Sequence, residues 1–414
     1  MEIMNYSKVS NTLKPRLGMK RKHIYVLLRN KIIGVDSVIT MCMQIHKDCD
    51  CEFTFMLFEH EAFKVIKKDN IVLSDAINKI GSLVSLSSKR HRCKVFSKIH
   101  AVFFIIKMIV KINYKNSLIM HSGGLHVKPL NFITKFIPLK RIIFHERSSY
   151  GRCSYDAPET FFNCRQSQDE FESDALPYQL PILNAGILIG YDKLWNYFKH
   201  TKAINAKHII FDDSRNGSAW IDFIKNRSSE YIDSELDKYL LNQKSKHILI
   251  IFIGRIQIDK SGSYIKSFIQ MIDEISKTVG DKVPVFIKPH IFADLEFIMN
   301  CISKGVGGGK INYIFTKLHP SVLASRAAIS FFIDNSTVIN EISNLNVPII
   351  QCLYDFDDDD KGILAQTTSK KSDYVITKKT DNLGVIINDL LSVDNPPAVY
   401  RKKQGKFNCG NLFN

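Results

Sequence analysis

Short apolar runs alternate with longer segments of helical period along most of the chain. In the first half the runs cover 23–28, 52–58, 117–120, 141–144, 185–190 and 208–211, and each reads as a buried strand. Amphipathic stretches such as 35–45 and 125–137 lie between them and read as helices. Residues 214–246 are polar and helix-prone, and a second series of apolar runs follows at 247–253, 283–287, 311–315, 328–333 and 348–350. Alternation of this kind predicts α/β architecture with parallel sheets. Two Rossmann-like domains are expected, over 1–225 and 247–395, joined through 226–246 and followed by a basic tail over 396–414. Open parallel sheets bind ligands beyond the carboxyl ends of their strands. The two domains should therefore face one cleft, lined by strand-end loops.

The length, 414 residues, suits two domains of ordinary size. The longest apolar stretch, 101–112, carries Lys107 and Lys111 and is shorter than the ~20 residues that cross a bilayer. It reads as a buried core helix. No signal peptide is visible at the N-terminus, so an intracellular, cytoplasmic protein is expected. Nine cysteines are scattered without zinc spacing, only Cys49 and Cys51 being close, and they read as reduced thiols.

Charge adds a partner class. The net charge is +16, with clusters over 14–23, 89–94 and 401–403. No nucleic-acid-binding motif accompanies them, so nucleic acid is not expected. An anionic inner-membrane surface or an acidic, phosphate-bearing substrate fits better, beside the plain alternative of a generally basic soluble protein.

Four motifs fall where the cleft would have them. Residues 331–350 run from an apolar strand through Asp334, Asn335, Ser336 and Thr337 into a helix carrying Glu341, and then into a strand with Pro348. A helix start offers free N–H groups and a positive dipole end to phosphate. Ser336 and Thr337 would donate to it and Glu341 would accept from ribose, although such residues also serve as plain helix caps. Gly254 and Arg255 follow the first strand of the second series, with Lys260 beyond. The glycine permits close approach and the cations suit a diphosphate, unless this is an ordinary solvated loop. Lys288 and His290 flank Pro289 at the next strand end, where both can stabilise a departing phosphate. Glu146, after Phe144 and His145, can deprotonate an acceptor hydroxyl or simply pair with Arg147. Two patterns are set aside. Lys317-Leu318-His319-Pro320 lies one unit later than the Lys288 motif, and the acidic run 355–360 reads as a solvated loop.

At this point the second half resembles the nucleotide-binding domain of GT-B glycosyltransferases. Residues 252–260 are similar to its Gly-Arg…Lys loop, and 336–350 to its Glu-containing helix and following Pro-Ile strand. Residues 285–290, ending Lys288-Pro289-His290, are similar to the Lys-Pro-His-Pro signature of capsule enzymes that use CMP-activated acidic sugars, the sialyl-, polysialyl- and Kdo-transferases. The run 334–355 also resembles teichoic-acid glycerophosphotransferases. The resemblance spans about 247–355. It implies a GT-B glycosyltransferase of capsule or lipopolysaccharide assembly, peripheral to the inner membrane. Its partners would be a nucleotide-sugar donor and a glycan or lipid-linked glycan acceptor. Glu146 and His290 would be catalytic, and Gly254, Arg255, Lys260, Lys288, Ser336, Thr337 and Glu341 would hold the nucleotide. Neither metal nor cofactor is expected, because cationic side chains can replace the metal. A polyol-phosphate transferase, a sugar-nucleotide epimerase of the same fold and a non-catalytic component of a capsule assembly complex remain as alternatives.

Overall fold

The structure is a computed structural model that describes residues 22–28, 32–57, 60–86, 94–122, 130–145, 185–190, 206–211, 217–238, 247–254, 256, 262–290, 293–307, 309–333, 336, 338–343, 345, 347–354, 372–377, 382–392 and 410–413. The first half contains β1 (Lys22–Leu27), α1 (Ile32–Cys49), β2 (Cys51–Leu57), α2 (His60–Asp69), α3 (Ile71–Ile80), β3 (Gly81–Ser85), α4 (Lys94–Tyr114), β4 (Ser117–His121), β5 (Ile142–His145), β6 (Ile187–Gly190) and β7 (Lys207–Ile210). Helix α5 (Ser218–Lys238) follows. The second half contains β8 (Leu249–Ile253), α6 (Ser263–Val279), β9 (Val285–Pro289), α7 (Leu295–Val306), β10 (Tyr313–Phe315), α8 (Pro320–Ala324), β11 (Ile329–Phe332), α9 (Val338–Ile342), β12 (Ile349–Cys352), β13 (Tyr374–Ile376), α10 (Leu383–Ser392) and α11 (Gly410–Phe413).

Two sheets result, ordered β3-β2-β1-β4-β5-β6-β7 and β10-β9-β8-β11-β12-β13. Every strand pair in both is parallel. This is the two-sheet α/β architecture that the apolar pattern predicts. Parallel strands are covered on both faces, which is why runs such as Leu249–Ile253 are apolar without alternation. In each sheet the strand order reverses beside the first strand, between β1 and β4 and between β8 and β11. Those two crevices are the natural ligand positions.

The pleat divides the core. Ile24 and Val26 of β1, and Ile250 and Phe252 of β8, point into one continuous apolar cluster shared by both sheets. Their neighbours Tyr25 and Leu27 belong to a separate cluster under α4, and Leu249, Ile251 and Ile253 to one under α6. Helix α5 fills the shared side with Trp220, Phe223, Ile224 and Ile232. It packs on α1 and α8. Its polar contacts run to α3 as well: Tyr231 Oη and Arg227 donate to Asp75 at 2.7 and 3.0 Å. Leu412 of α11 is buried in the same cluster, so the tail ends against the first sheet.

Three expectations need correction. The apolar stretch 101–112 lies in α4, but only one side is buried, at Met108 and Ile112, while Phe103 is 72% exposed. The edge strands β3 and β13 were not expected, because they are short, five and three residues. Cys49 is disulfide-bonded, whereas Cys42, Cys51, Cys301 and Cys352 are free and buried. Among the described residues no helix is long and apolar enough to cross a membrane.

Candidate functional site

The carboxyl edge of the second sheet collects the candidate groups. Lys288 and Pro289 close β9, and His290 follows with its N–H donating to Ile253 O at 2.8 Å. That bond sets His290 beside the end of β8, where Gly254 comes next. Ser336 lies beyond β11, and its hydroxyl accepts from Val338 N at 3.3 Å, capping the short α9. Glu341 lies in the first turn of α9 and is 3% exposed. Glu146, Arg255, Lys260 and Thr337 lie outside the described residues, as does the acidic run 355–360.

Lys288 is the electrostatic centre of this edge. Burial pushes its ammonium down to about 8; Glu341 and Glu235 oppose that fall and Lys317 adds to it. Among the described residues no carboxylate comes within ion-pair distance of it. A half-buried cation with no described carboxylate in ion-pair range is a candidate to receive a further anion.

Beside Lys288 lies a hydrogen-bonded cluster that links both halves. His319, just before α8, places Nε2 2.9 Å from Asp36 Oδ1 in α1. Its Nδ1 accepts from Ser321 N at 3.2 Å and lies 3.3 Å from Glu341 Oε1. With Nδ1 accepting, Nε2 carries the proton and donates to Asp36. The Ser321 hydroxyl donates to Glu341 Oε1 and accepts from Trp220 Nε1 at 3.3 Å. Trp220 is 1% exposed, and its indole edge meets the His319 ring with centroids 5.1 Å apart. Thr316 donates to Glu235 Oε1 at 3.0 Å and accepts from Leu318 N at 3.1 Å, fixing the loop between β10 and α8. Among the described residues no group of His, Cys, Asp and Glu is arranged to hold a metal ion.

His319 belongs to the motif that the sequence reading set aside as one unit too late. Strands β9 and β10 are neighbours in the sheet, so one unit later in the chain is the adjacent strand end in space. Asp36, Trp220, Glu235 and Ser321 were not anticipated at all. They meet only through the packing of α1, α5 and α8.

Neither a protein-family model nor a curated protein sequence matches the chain. Solved structures do. The UDP-GlcNAc 2-epimerase of Neisseria meningitidis, solved with UDP-GlcNAc bound, is 13% identical over 94% of this chain and 97% of that one, with a TM-score of 0.54. The UDP-GlcNAc 2-epimerase of Methanocaldococcus jannaschii is 12% identical over 95% of this chain and 97% of that one, with a TM-score of 0.53. The chain shares their fold. It is the GT-B arrangement, and at this identity the likeness establishes the fold alone.

Proposed function

We propose that the protein is a glycosyltransferase of surface-polysaccharide assembly that acts on a nucleotide-activated sugar. The observation that carries this reading is Lys288: a half-buried ammonium, pushed down to about 8, at the carboxyl edge of the second sheet. A nucleotide phosphate leaving the anomeric carbon gains negative charge, and a cation fixed at that point stabilises it more than the ground state. His290 and Gly254 would line the same phosphate subsite, with Arg255, Lys260 and Thr337 as further contacts. Glu341 would face the ribose side, and the hydrogen bond it accepts from the Ser321 hydroxyl keeps its carboxylate in place. Glu146, next after β5, would take the proton of the acceptor hydroxyl, the acceptor being a glycan or lipid-linked glycan. The likeness of 285–290 to the CMP-sugar transferases supports a CMP-linked acidic sugar as donor.

The second reading is a nucleotide-sugar epimerase, which the likeness to two UDP-GlcNAc 2-epimerases over nearly the whole chain favours. Both readings place a nucleotide phosphate at the carboxyl edge of the second sheet, so Lys288 would contact it in either. Titration calorimetry with CMP, UDP and GDP tests the common part, and absence of any nucleotide binding refutes both readings. Parallel incubations with UDP-GlcNAc and with CMP-linked acidic sugars, followed by NMR, separate them. A C2 epimer formed without acceptor establishes the epimerase; nucleotide release only on addition of a membrane acceptor fraction establishes the transferase. On the transferase reading Glu146→Gln abolishes transfer and retains nucleotide affinity.

A further inference from the structure

The outer face of α4 is apolar and bare. Ile99, Val102, Phe103, Ile106 and Val110 are each about half exposed or more. At 3.6 residues per turn they fall within an arc of about 100°. Met108 and Ile112 hold the opposite side of the helix against the sheet. The exposed stripe continues beyond the helix. Asn113 Nδ2 donates to Phe136 O at 2.8 Å, which joins the end of α4 to the turn carrying Phe132, Phe136 and Leu139, all about half exposed. A contiguous apolar surface of this kind marks an interaction site rather than ordinary exposure.

Its charge selects the occupant. The chain has no Asp or Glu from Ala76 to His145. Exposed Lys98 and Lys107 flank the stripe on α4, Lys115 follows its end, and Lys135 and Lys140 edge the turn. Lys135 Nζ lies over the Phe132 ring, 4.8 Å from its centroid. We propose that this face docks on an anionic lipid bilayer, apolar side chains entering the interface and lysines meeting headgroup phosphates. A second copy of the chain is a poor occupant, because a two-fold pairing would set like charges against each other. Helix α4 carries Lys94, Lys98, Lys107 and Lys111, so it lies in the interface and does not span it. The basic clusters from which membrane attachment was expected, 14–23 and 89–94, lie almost wholly outside the described residues. The surface assigned here is independent of them, and of which nucleotide-sugar reaction the protein performs.

Sedimentation of the full chain with phosphatidylcholine vesicles, with and without phosphatidylglycerol, tests this. Binding is expected to the anionic vesicles and to fall with salt. Phe103→Ser with Ile106→Ser should lower partitioning at least tenfold. Lys98→Gln and Lys107→Gln should each lower it about fivefold, equivalent to ~1 kcal/mol. These positions are exposed, so thermal unfolding should be unchanged, and calorimetry with the nucleotide reports the other site separately. Two results overturn the proposal: vesicle binding unaffected by the Phe103/Ile106 pair, or a dimer in analytical ultracentrifugation that this pair dissociates.

Discussion

His319 Nε2 and Asp36 Oδ1 lie 2.9 Å apart although 283 positions separate them. Asp36 is in α1, after the carboxyl end of β1, and His319 precedes α8, after the carboxyl end of β10. Their bond therefore brings the ligand-binding edges of the two sheets together. It does so beside Glu341, whose carboxylate couples to Lys288. One imidazole thus ties the two halves together beside the acid that raises the pKa of the candidate phosphate-binding cation.

Removing that ring should be costly. His319→Ala leaves the buried Glu341 and partly buried Asp36 carboxylates without the imidazole between them. Loss of one partner from a buried polar pair costs roughly 3–5 kcal/mol. Asp36→Asn keeps an acceptor for Nε2–H and should cost only about 1 kcal/mol. Urea unfolding of both variants checks the order; equal, small shifts in midpoint would show that the cluster holds nothing together.

Much of the frame was legible in the chain, for a physical reason. Buried parallel strands are apolar on both faces, so runs such as Ile329–Phe332 stand out, and candidate groups follow them directly. Lys288 and His290 are candidates on that logic, and they lie at the carboxyl end of β9. The nearness of His319 to Lys288 is not visible along the chain, because it arises from β9 and β10 pairing side by side. Asp36 and Trp220 carry no local signal, since only the docking of α1 and α5 brings them to the edge. The sidedness of α4 was illegible because its buried and exposed stripes are equally apolar.

Gly305 gives a test of the second domain that leaves its chemistry untouched. A Cβ there would lie 2.6 Å from Ile269 O and 2.7 Å from Ile272 Cβ, where α7 crosses α6. Alanine gains ~1 kcal/mol in helix propensity. Overpacking costs typically 1–3 kcal/mol, and a backbone oxygen cannot turn aside as a side chain can. The clash should win, giving a net loss of about 1–2 kcal/mol in Gly305→Ala by denaturant unfolding. A rise in midpoint would contradict this helix packing.

The pH dependence of Lys288 has two parts. Its ammonium is pushed down from 10.5 to about 8 in the folded protein. Between those values the unfolded chain holds a proton that the folded chain has released, so stability rises with pH through that window. Below about 8 both states are cationic and the burial cost is fully present. Lys288→Met should therefore raise the thermal midpoint at neutral pH and flatten the alkaline rise, while weakening nucleotide binding. In the unmodified protein, nucleotide affinity should fall as pH rises through about 8. Near that pH, binding should take up a proton, seen as a calorimetric heat that depends on the buffer's ionisation enthalpy. A heat independent of buffer would remove Lys288 from the phosphate subsite.

The two charges that flank Lys288 should move this behaviour in opposite directions. Glu341 raises its pKa and Lys317 lowers it. Glu341→Gln keeps an oxygen to accept from the Ser321 hydroxyl but removes the negative charge, so the pH at which proton uptake peaks should move below about 8. Lys317→Met removes a like charge, so the peak should move up. Lys317 is exposed, which makes its variant the safer of the two for folding, and a shift there cannot be ascribed to a damaged core. Buffer-dependent calorimetry at several pH values reads both. Shifts of the same sign would mean that another group titrates, and with it the assignment of the depressed cation at this strand end would fall.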